Sequence, residues 1–455
     1  APRPRAPASG TERPRAPAQG TADGAERNHS TDHPGIRPAT VIESMPPGRN
    51  PAVALMLSAL SLLLGLTTTG CLRTMEAIDP RSLPITSTSG QRLQHHVSFL
   101  ASPELSGRQP GSPGNRQAAR YIEDQFRAVG LEPLPSLGGY RQAISPTIGD
   151  NLLGFIPPTA GSAPAQWMVI GAHYDHLGYP FLGADDNASS VAILIETARH
   201  MAGLPQHGIL FVAFNSEESP YFGKAEMGSQ FLFHHLPPEI GRAENLQAVV
   251  IMDLMGGVQW PPIKDAIFAA GAEKSPALYQ RVKQASAPSL TVFPVGMHLV
   301  EEIPEIGHKA FSDYDVFRNH GLPFLFLSAG RTPRYHTAGD VTSTLHYDRM
   351  AATVEWLRHL IALIGQDEAP YGFQADRVEW ADEVVSFREI VNRAVQDETR
   401  IPGTSRWSLR KLRQDAEWLR DADRSAPTPQ DRDRLERISI RVQCLMADYS
   451  GCFTF

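Results

Sequence analysis

Apolar runs recur along the chain between residues 150 and 365, and they are of two kinds. Trp167 to Ala172, Ile209 to Phe214, Ala248 to Met252 and Phe324 to Leu327 are short and unbroken, as strands buried on both faces are. Between them, Ser189 to Met201, residues 226–235 and Arg349 to Ile364 carry helical spacing. Apolar strands separated by helices predict an α/β fold, with a mixed, mostly parallel central sheet covered by helices on both faces. Upstream, residues 91–131 read as helix, break, helix. Ala118, Ala119, Ile122, Phe126 and Val129 share one face of the second helix, and Gly130 stops it. The break, Ser102 to Gly111, is rich in turn-forming residues.

The two ends of the chain carry other patterns. Residues 1–50 are rich in Pro, Arg, Ala and Gly, a composition that buries no core and predicts disorder. If translation starts at Met45, residues 1–44 are an untranslated extension. Residues 51–71 contain an uncharged apolar stretch, Ala52 to Leu66, preceded by Arg49 and ending at Gly70-Cys71. That layout reads as an export signal, and its junction resembles a bacterial lipoprotein cleavage site although Thr68 stands where Leu is usual. An uncleaved membrane anchor is the competing reading, for which the run is short. The expectation is an exported protein of the periplasm or cell envelope of a bacterium, attached through a lipidated Cys71. Residues 72–90 read as a polar linker, 91–365 as the main domain, and 366–455 as a helical C-terminal extension broken at Pro402-Gly403 and Pro427-Thr428-Pro429.

Composition then narrows the chemistry. The 455 residues carry a net charge of -7, with no Lys/Arg cluster in the central region, which argues against nucleic acid as a partner. The three cysteines, Cys71, Cys444 and Cys452, all lie outside that region. A thiolate nucleophile or Cys-ligated zinc is therefore excluded there, and any metal must be held by His, Asp and Glu. Cys444 and Cys452 are candidates to pair in an oxidising compartment.

Ligands of open α/β sheets bind beyond the carboxyl ends of the strands, so the residues just past each predicted strand are informative. After the first come His173-Tyr174-Asp175-His176, and after the second Asn215-Ser216-Glu217-Glu218. Asp253 stands directly after the third, and Tyr335-His336-Thr337 and Asp340 lie beyond the last. The loop before the first helix adds Gly183-Ala184-Asp185-Asp186-Asn187. Imidazole nitrogens and carboxylate oxygens suit zinc or a similar divalent ion, and a pair of ions about 3.5–4 Å apart can activate a water. A single-zinc HExxH helix, a GxSxG nucleophile elbow and a P-loop are all missing from the sequence.

In this order, Gly171 to Gly178, Gly183 to Ser189, Asn215 to Glu218, Asp253, Ser312-Asp313 and Tyr335 to Thr337 resemble the M28 family of metallopeptidases, over about residues 92–365. The resemblance implies a zinc-exopeptidase-like fold and two Zn2+ ions acting on a peptide substrate. It implies that His173, Asp186, Glu218, Asp253 and His336 are the metal ligands, with Asp186 bridging and Asp185 the lesser candidate. Asp253 would complete the His173 site and His336 the Glu218 site. Glu217 would be the general base, and Asp175 would orient the His173 imidazole. Tyr335 would help stabilise the oxyanion, and Asp340 would support His336. His176 either lines the site or packs against its loop. Departures from the family pattern fall at Ser190, Tyr314 and Ala338, none of them a ligand position, and the segment Ser219 to Ser229 is longer than usual. Aminopeptidase action is the expected activity. Glutaminyl-cyclase-like acyl transfer, or carboxypeptidase or dipeptidase specificity on the same site, are the alternatives.

Overall fold

A computed structural model of the chain describes residues 84–158, 166–201, 207–258, 260–303, 307–396, 406–422 and 425–447. The N-terminal extension, the export-signal segment with Cys71, most of the linker and Cys452 lie outside the described residues. The first helix, α1 (Thr88–Leu100), begins inside the segment read as linker, because Ser87 caps it by accepting the Gly90 N–H. A turn-rich break leads to α2 (Pro113–Ala128), capped in the same way by Ser112.

The strands are β1 (Glu132–Pro133), β2 (Arg141–Ser145), β3 (Gly149–Ile156), β4 (Trp167–His173), β5 (Gly208–Phe214), β6 (Leu246–Met252), β7 (Ala266–Ala270) and β8 (Thr291–Val295). A short hairpin, β9 (Glu302–Ile303) and β10 (Gly307–His308), precedes β11 (Phe324–Ser328). The helices between them are α3 (Ser190–Arg199), α4 (Gly228–His234), α5 (Pro276–Gln284), α6 (Met297–Glu301) and α7 (Asp315–Asn319). After β11 come α8 (Tyr347–Ile364), α9 (Trp380–Gln396), α10 (Arg406–Asp421) and α11 (Pro429–Ala447).

Nine strands form one sheet in the order β1-β3-β5-β4-β6-β11-β7-β8, with β2 also on β3. The central pairs β5/β4, β4/β6 and β6/β11 are parallel. Pairing turns antiparallel at β5/β3 and at β11/β7. The sheet is thus mixed as expected, parallel where the strand ends carry the candidate ligands. The two strands beyond β11, interior β7 and edge strand β8, escape the apolar-run criterion for physical reasons. Ala266 to Ala270 is poor in β-branched residues, and Thr291 to Val295 contains Pro294, which is tolerated because β8 is a sheet edge.

Alternation along the central strands assigns the two faces. Met168, Ile170, Ala172, Phe211, Val250 and Leu325 pack beneath α1, α2, α3, α5 and α8. Val169, Leu210, Val212, Ile251, Phe324 and Phe326 face the other way, toward residues of α4, α7, α9, α10 and α11. The C-terminal helices are therefore part of one layer of the main core. His298 of α6 reinforces that layer, its ring lying 3.1 Å from Glu383 of α9 and 3.2 Å from Glu436 of α11. No helix among the described residues is long and apolar enough to cross a membrane.

On the opposite face, Glu196 of α3 ties α1 to the core. Its buried carboxylate accepts from Arg92 Nε at 2.7 Å and Arg199 Nε at 2.9 Å, and lies 3.4 Å from His96 Nε2. Burial opposes its ionisation, yet the hydrogen bonds from His96, Arg199 and Arg92 bring it down to about 2. A folded-state value below the ordinary one gives stabilisation that is full above about pH 4.5 and drains away as the pH falls towards 2. Glu196→Gln is expected to cost about 2 kcal/mol at pH 7, less than a fully enclosed pair because Arg92 and Arg199 reach solvent. Urea unfolding of both proteins at pH 7 and pH 3 should show that difference shrinking at the lower pH.

Candidate metal centre

The registers of the parallel strands bring the ligand-bearing ends level. His173 closes β4 opposite Phe214 at the end of β5, and Met252 at the end of β6 pairs with Leu327 of β11. Asp253 comes directly after β6, and Glu217 and Glu218 stand three and four residues beyond β5. The chain must turn sharply to aim these groups at one point. Ser216, just before the Glu pair, Leu254, just after Asp253, and His336 itself all take φ of 56°. Each such left-handed non-glycine residue costs on the order of 1–3 kcal/mol, which the surrounding packing must offset.

The donor atoms converge. His173 Nε2 lies 3.4 Å from Asp186 Oδ1 and 3.6 Å from Asp253 Oδ1. His336 Nε2 lies 3.1 Å from Asp186 Oδ2 and 3.3 Å from Glu218 Oε1. Around a tetrahedral ion with bonds of 2.0–2.1 Å, neighbouring donor atoms are about 3.3 Å apart. Asp186 thus offers one oxygen to each histidine. Glu217 Oε2 sits 3.8 Å from His173 Nε2, at the border of the cluster. Asp186 Oδ2, Asp253 Oδ1 and His336 Nε2 are buried with no hydrogen-bond partner, which is how donor atoms of a cation site stand. The residues present therefore fit a pair of divalent cations.

His176 joins the site rather than packing behind it. Its Nδ1 is 2.9 Å from Glu218 Oε1 and 3.8 Å from Asp186 Oδ2, so its contact with Glu218 is a hydrogen bond and its contact with Asp186 is not. By distance, His176, Asp186 and Glu218 form one triplet and His173, Glu217 and Asp253 another. His336 Nε2 lies outside that triplet by this measure but stands nearly equidistant from one oxygen of Asp186 and one of Glu218. His176 is the ring that orients Glu218. Gly183 is required here: its φ is +63°, and a Cβ would meet the His176 ring at 2.6 Å.

Two supporting carboxylates do other work than expected. Asp175 lies 3.8 Å from His173 Nδ1, and its oxygens instead accept the backbone N–H groups of Glu217 and Glu218, each at 3.1 Å. It aligns the Glu pair as much as the imidazole. Asp340 does not reach His336. It accepts the N–H groups of Asp185 at 2.7 Å and Asp186 at 3.0 Å, and so shapes the turn that presents Asp186. Asp185 turns away from the cluster and accepts from Gly256 and Gly257, both at 2.8 Å, which removes it as a bridge.

Electrostatics follow from this crowding. Burial pushes the Glu217 carboxyl well above its usual range, and Asp253, Asp313 and Glu218 add to that. Asp175 is raised to about 6 by burial and Glu218, and Asp313 to about 7 by burial and its acidic neighbours. Burial opposes a charge on His173, but Glu217, Asp253 and Asp186 hold its pKa well above the ordinary value. Glu218 is buried too, yet His176 and His336 bring it down to about 2.

Several residues that shape the site carry no sequence expectation. Arg108, wholly buried in the turn-rich break, donates to the carbonyls of Tyr174 at 2.8 Å, Leu182 at 2.7 Å and Gly183 at 2.9 Å. It staples the His173–His176 loop to the Asp186 loop. Asn115 donates to Asn215 Oδ1 at 2.9 Å, and Asn151 accepts the Asn215 N–H at 3.0 Å, fixing the base of the Glu217 turn. A lone arginine or asparagine between helices carries no periodic signal. The demand for a buried cation among loop carbonyls is visible only in three dimensions. Tyr314 lies outside the cluster, its hydroxyl donating to Glu301 at 2.7 Å. The long segment after Glu218 folds into successive tight turns, closed by a 2.6 Å bond from Ser216 Oγ to the Glu226 carbonyl.

Comparison with known proteins finds the following likenesses. The family model for peptidase family M28 matches residues 151–361. The chain is 28% identical over 294 residues to the uncharacterized protein YfbL of Escherichia coli (strain K12), covering 59% of this chain and 86% of that protein. It is 23% identical to the glutaminyl-peptide cyclotransferase-like protein of Bos taurus, covering 56% of this chain and 72% of that one. Among solved structures, BSAP, a zinc aminopeptidase from Bacillus subtilis, superposes with a TM-score of 0.48 at 13% identity, covering 61% of this chain and 95% of that one. What the comparisons show of this chain is thus a match to the model of peptidase family M28 over residues 151–361, which supports a metal-dependent peptidase at the level of the family.

Proposed function

We propose that this protein is an exported zinc aminopeptidase with a two-ion centre. The observation that carries the reading is a set of donor atoms spaced like the edges of two tetrahedra sharing Asp186, of which Asp186 Oδ2, Asp253 Oδ1 and His336 Nε2 are buried without a hydrogen-bond partner. His173 and Asp253 would hold one ion, Glu218 and His336 the other, and Asp186 would hold both. Bound there, the ions supply Lewis-acid polarisation of the scissile carbonyl and acidify the attacking water. Glu217, bordering the cluster, takes the proton of that water and delivers it to the leaving amine. Asp175 holds the backbone that carries Glu217 and Glu218 by accepting both of their N–H groups. Tyr335, its ring stacked on His336 at 3.8 Å, is placed to donate to the developing oxyanion. Export rests on the signal-like segment ending at Cys71.

The likeness to a glutaminyl-peptide cyclotransferase-like protein supports a second reading, acyl transfer at a single zinc. Metal stoichiometry separates the two, since the first reading expects two zinc ions per chain. A panel of aminoacyl-arylamides, blocked peptides and N-terminal glutaminyl peptides, with and without chelator, separates the activities.

Glu217→Gln is expected to keep two metal ions and lose about 10²–10⁴-fold in kcat on an aminoacyl-arylamide. Full activity in a metal-loaded E217Q protein would end the assignment of Glu217 as base. Asp340→Ala should leave the fold intact by circular dichroism and weaken metal binding by about 10–100-fold in a chelator competition titration. Unaltered metal affinity would show that the Asp185–Asp186 turn holds its shape without that carboxylate.

A further inference from the structure

The arginines around the centre are committed to the protein, with one exception among the described residues. Arg108 is spent on loop carbonyls, and Arg349 donates to the carbonyls of Met255 and Gly257. Arg334 donates to the carbonyl of Val258. Arg331 is exposed and makes no hydrogen bond or ion pair among the described residues. Its guanidinium lies 4.1 Å above the Tyr335 ring and 5.9 Å from the Phe311 ring. Tyr335 in turn stacks on His336 at 3.8 Å. The two separations add to at most about 8 Å, so the guanidinium stands within that distance of the His336 ring. A cation–π contact of this kind leaves the guanidinium donors unspent, and the side chain is exposed.

The loop is also held in place from behind. Gly330, Arg331 and Met446 of α11 line one small cleft, and a Cβ on Gly330 would meet Met446 at 1.9 Å. The C-terminal helix is therefore packed directly under the loop that carries Arg331. An extended peptide advances about 3.5 Å per residue, so a group one or two residues from a bond cleaved beside His336 comes within reach of Arg331. Charge sets the polarity. Arg331 repels a free N-terminal ammonium and attracts a carboxylate, so the amine points away from it and the leaving-group side of the peptide toward it.

Resting on the peptidase reading above, we propose that Arg331 is a specificity-determining residue, a fork that binds a carboxylate on the C-terminal side of the scissile bond. The preferred substrates are then short peptides with a free C-terminal carboxylate, or peptides with an acidic residue at that place.

The test reads binding apart from cleavage. Metal-loaded full-length protein is titrated calorimetrically with a leucyl-glycine analogue whose amide is reduced to CH2–NH, as free acid and as C-terminal amide. A second pair, the reduced leucyl-glutamate amide and leucyl-glutamine amide, distinguishes a side-chain carboxylate from a terminal one. The wild type should bind an acid about ten-fold or more tightly than its neutral partner in at least one pair. Arg331→Gln should bring that acid down to the neutral compound's affinity, and Arg331→Lys should restore only part of the preference. Equal affinities in both pairs for the wild type, or an acid preference that survives in R331Q, overturns the proposal. Cleavage of leucyl-glycine and its amide is measured in parallel. A binding preference that depends on Arg331 without any cleavage would sink the peptidase reading and keep this one, and cleavage without the preference would do the reverse.

Discussion

Carboxylates gathered in a dry interior repel one another, and everything around this centre answers that repulsion. Two like charges 4 Å apart cost about 4 kcal/mol at an effective dielectric of 20. Asp175, Asp185, Asp186, Glu217, Glu218, Asp253, Asp313 and Asp340 are all buried at one end of the sheet. The protein disposes of part of the charge with its own backbone. N–H groups of Glu217 and Glu218 serve Asp175, those of Gly256 and Gly257 serve Asp185, and those of Asp185 and Asp186 serve Asp340. Asp186 Oδ2 and Asp253 Oδ1 are left without such donors. The carboxylates thus divide into those served by backbone N–H groups and those with oxygens left unpartnered, Asp313 among the latter.

That sorting explains why the loops are so constrained. Each N–H that serves a carboxylate fixes a peptide plane, and left-handed residues stand beside two of these sets, Ser216 before Glu217 and Leu254 before Gly256, with a third at His336. Arg108 adds a buried cation among the loop carbonyls, and Gly183 keeps the space that the His176 ring fills. The strain belongs to the loops, and the parallel strands beneath them carry none of it.

The fold's centre is legible in the sequence because buried parallel strands are written as unbroken apolar runs, and β4, β5, β6 and β11 all are. The strands beyond β11 are not, since β7 and β8 depend on what they pair with rather than on their own residues. Likewise the residues of the site are readable as chemistry at strand ends. Their division of labour is less so. Asp340 and Asp175 are acidic residues in the right neighbourhood, and only coordinates show that each serves backbone N–H groups. The C-terminal helices look detached in the sequence because their charged surfaces dominate the pattern. Val384, Phe387, Leu412, Leu435 and Val442 nevertheless belong to the layer beneath the central sheet.

The bonds from Asp340 back to Asp185 and Asp186 span about 155 residues of chain. During synthesis, His173, Asp186 and the Glu pair leave the ribosome long before the acceptor that shapes their loop, and His336 arrives equally late. The centre is completed only when the last strand and the loop after it are in place. If the centre is that of a peptidase, this ordering is a form of safety: a nascent chain that stops short of His336 and Asp340 would lack both groups that close the site.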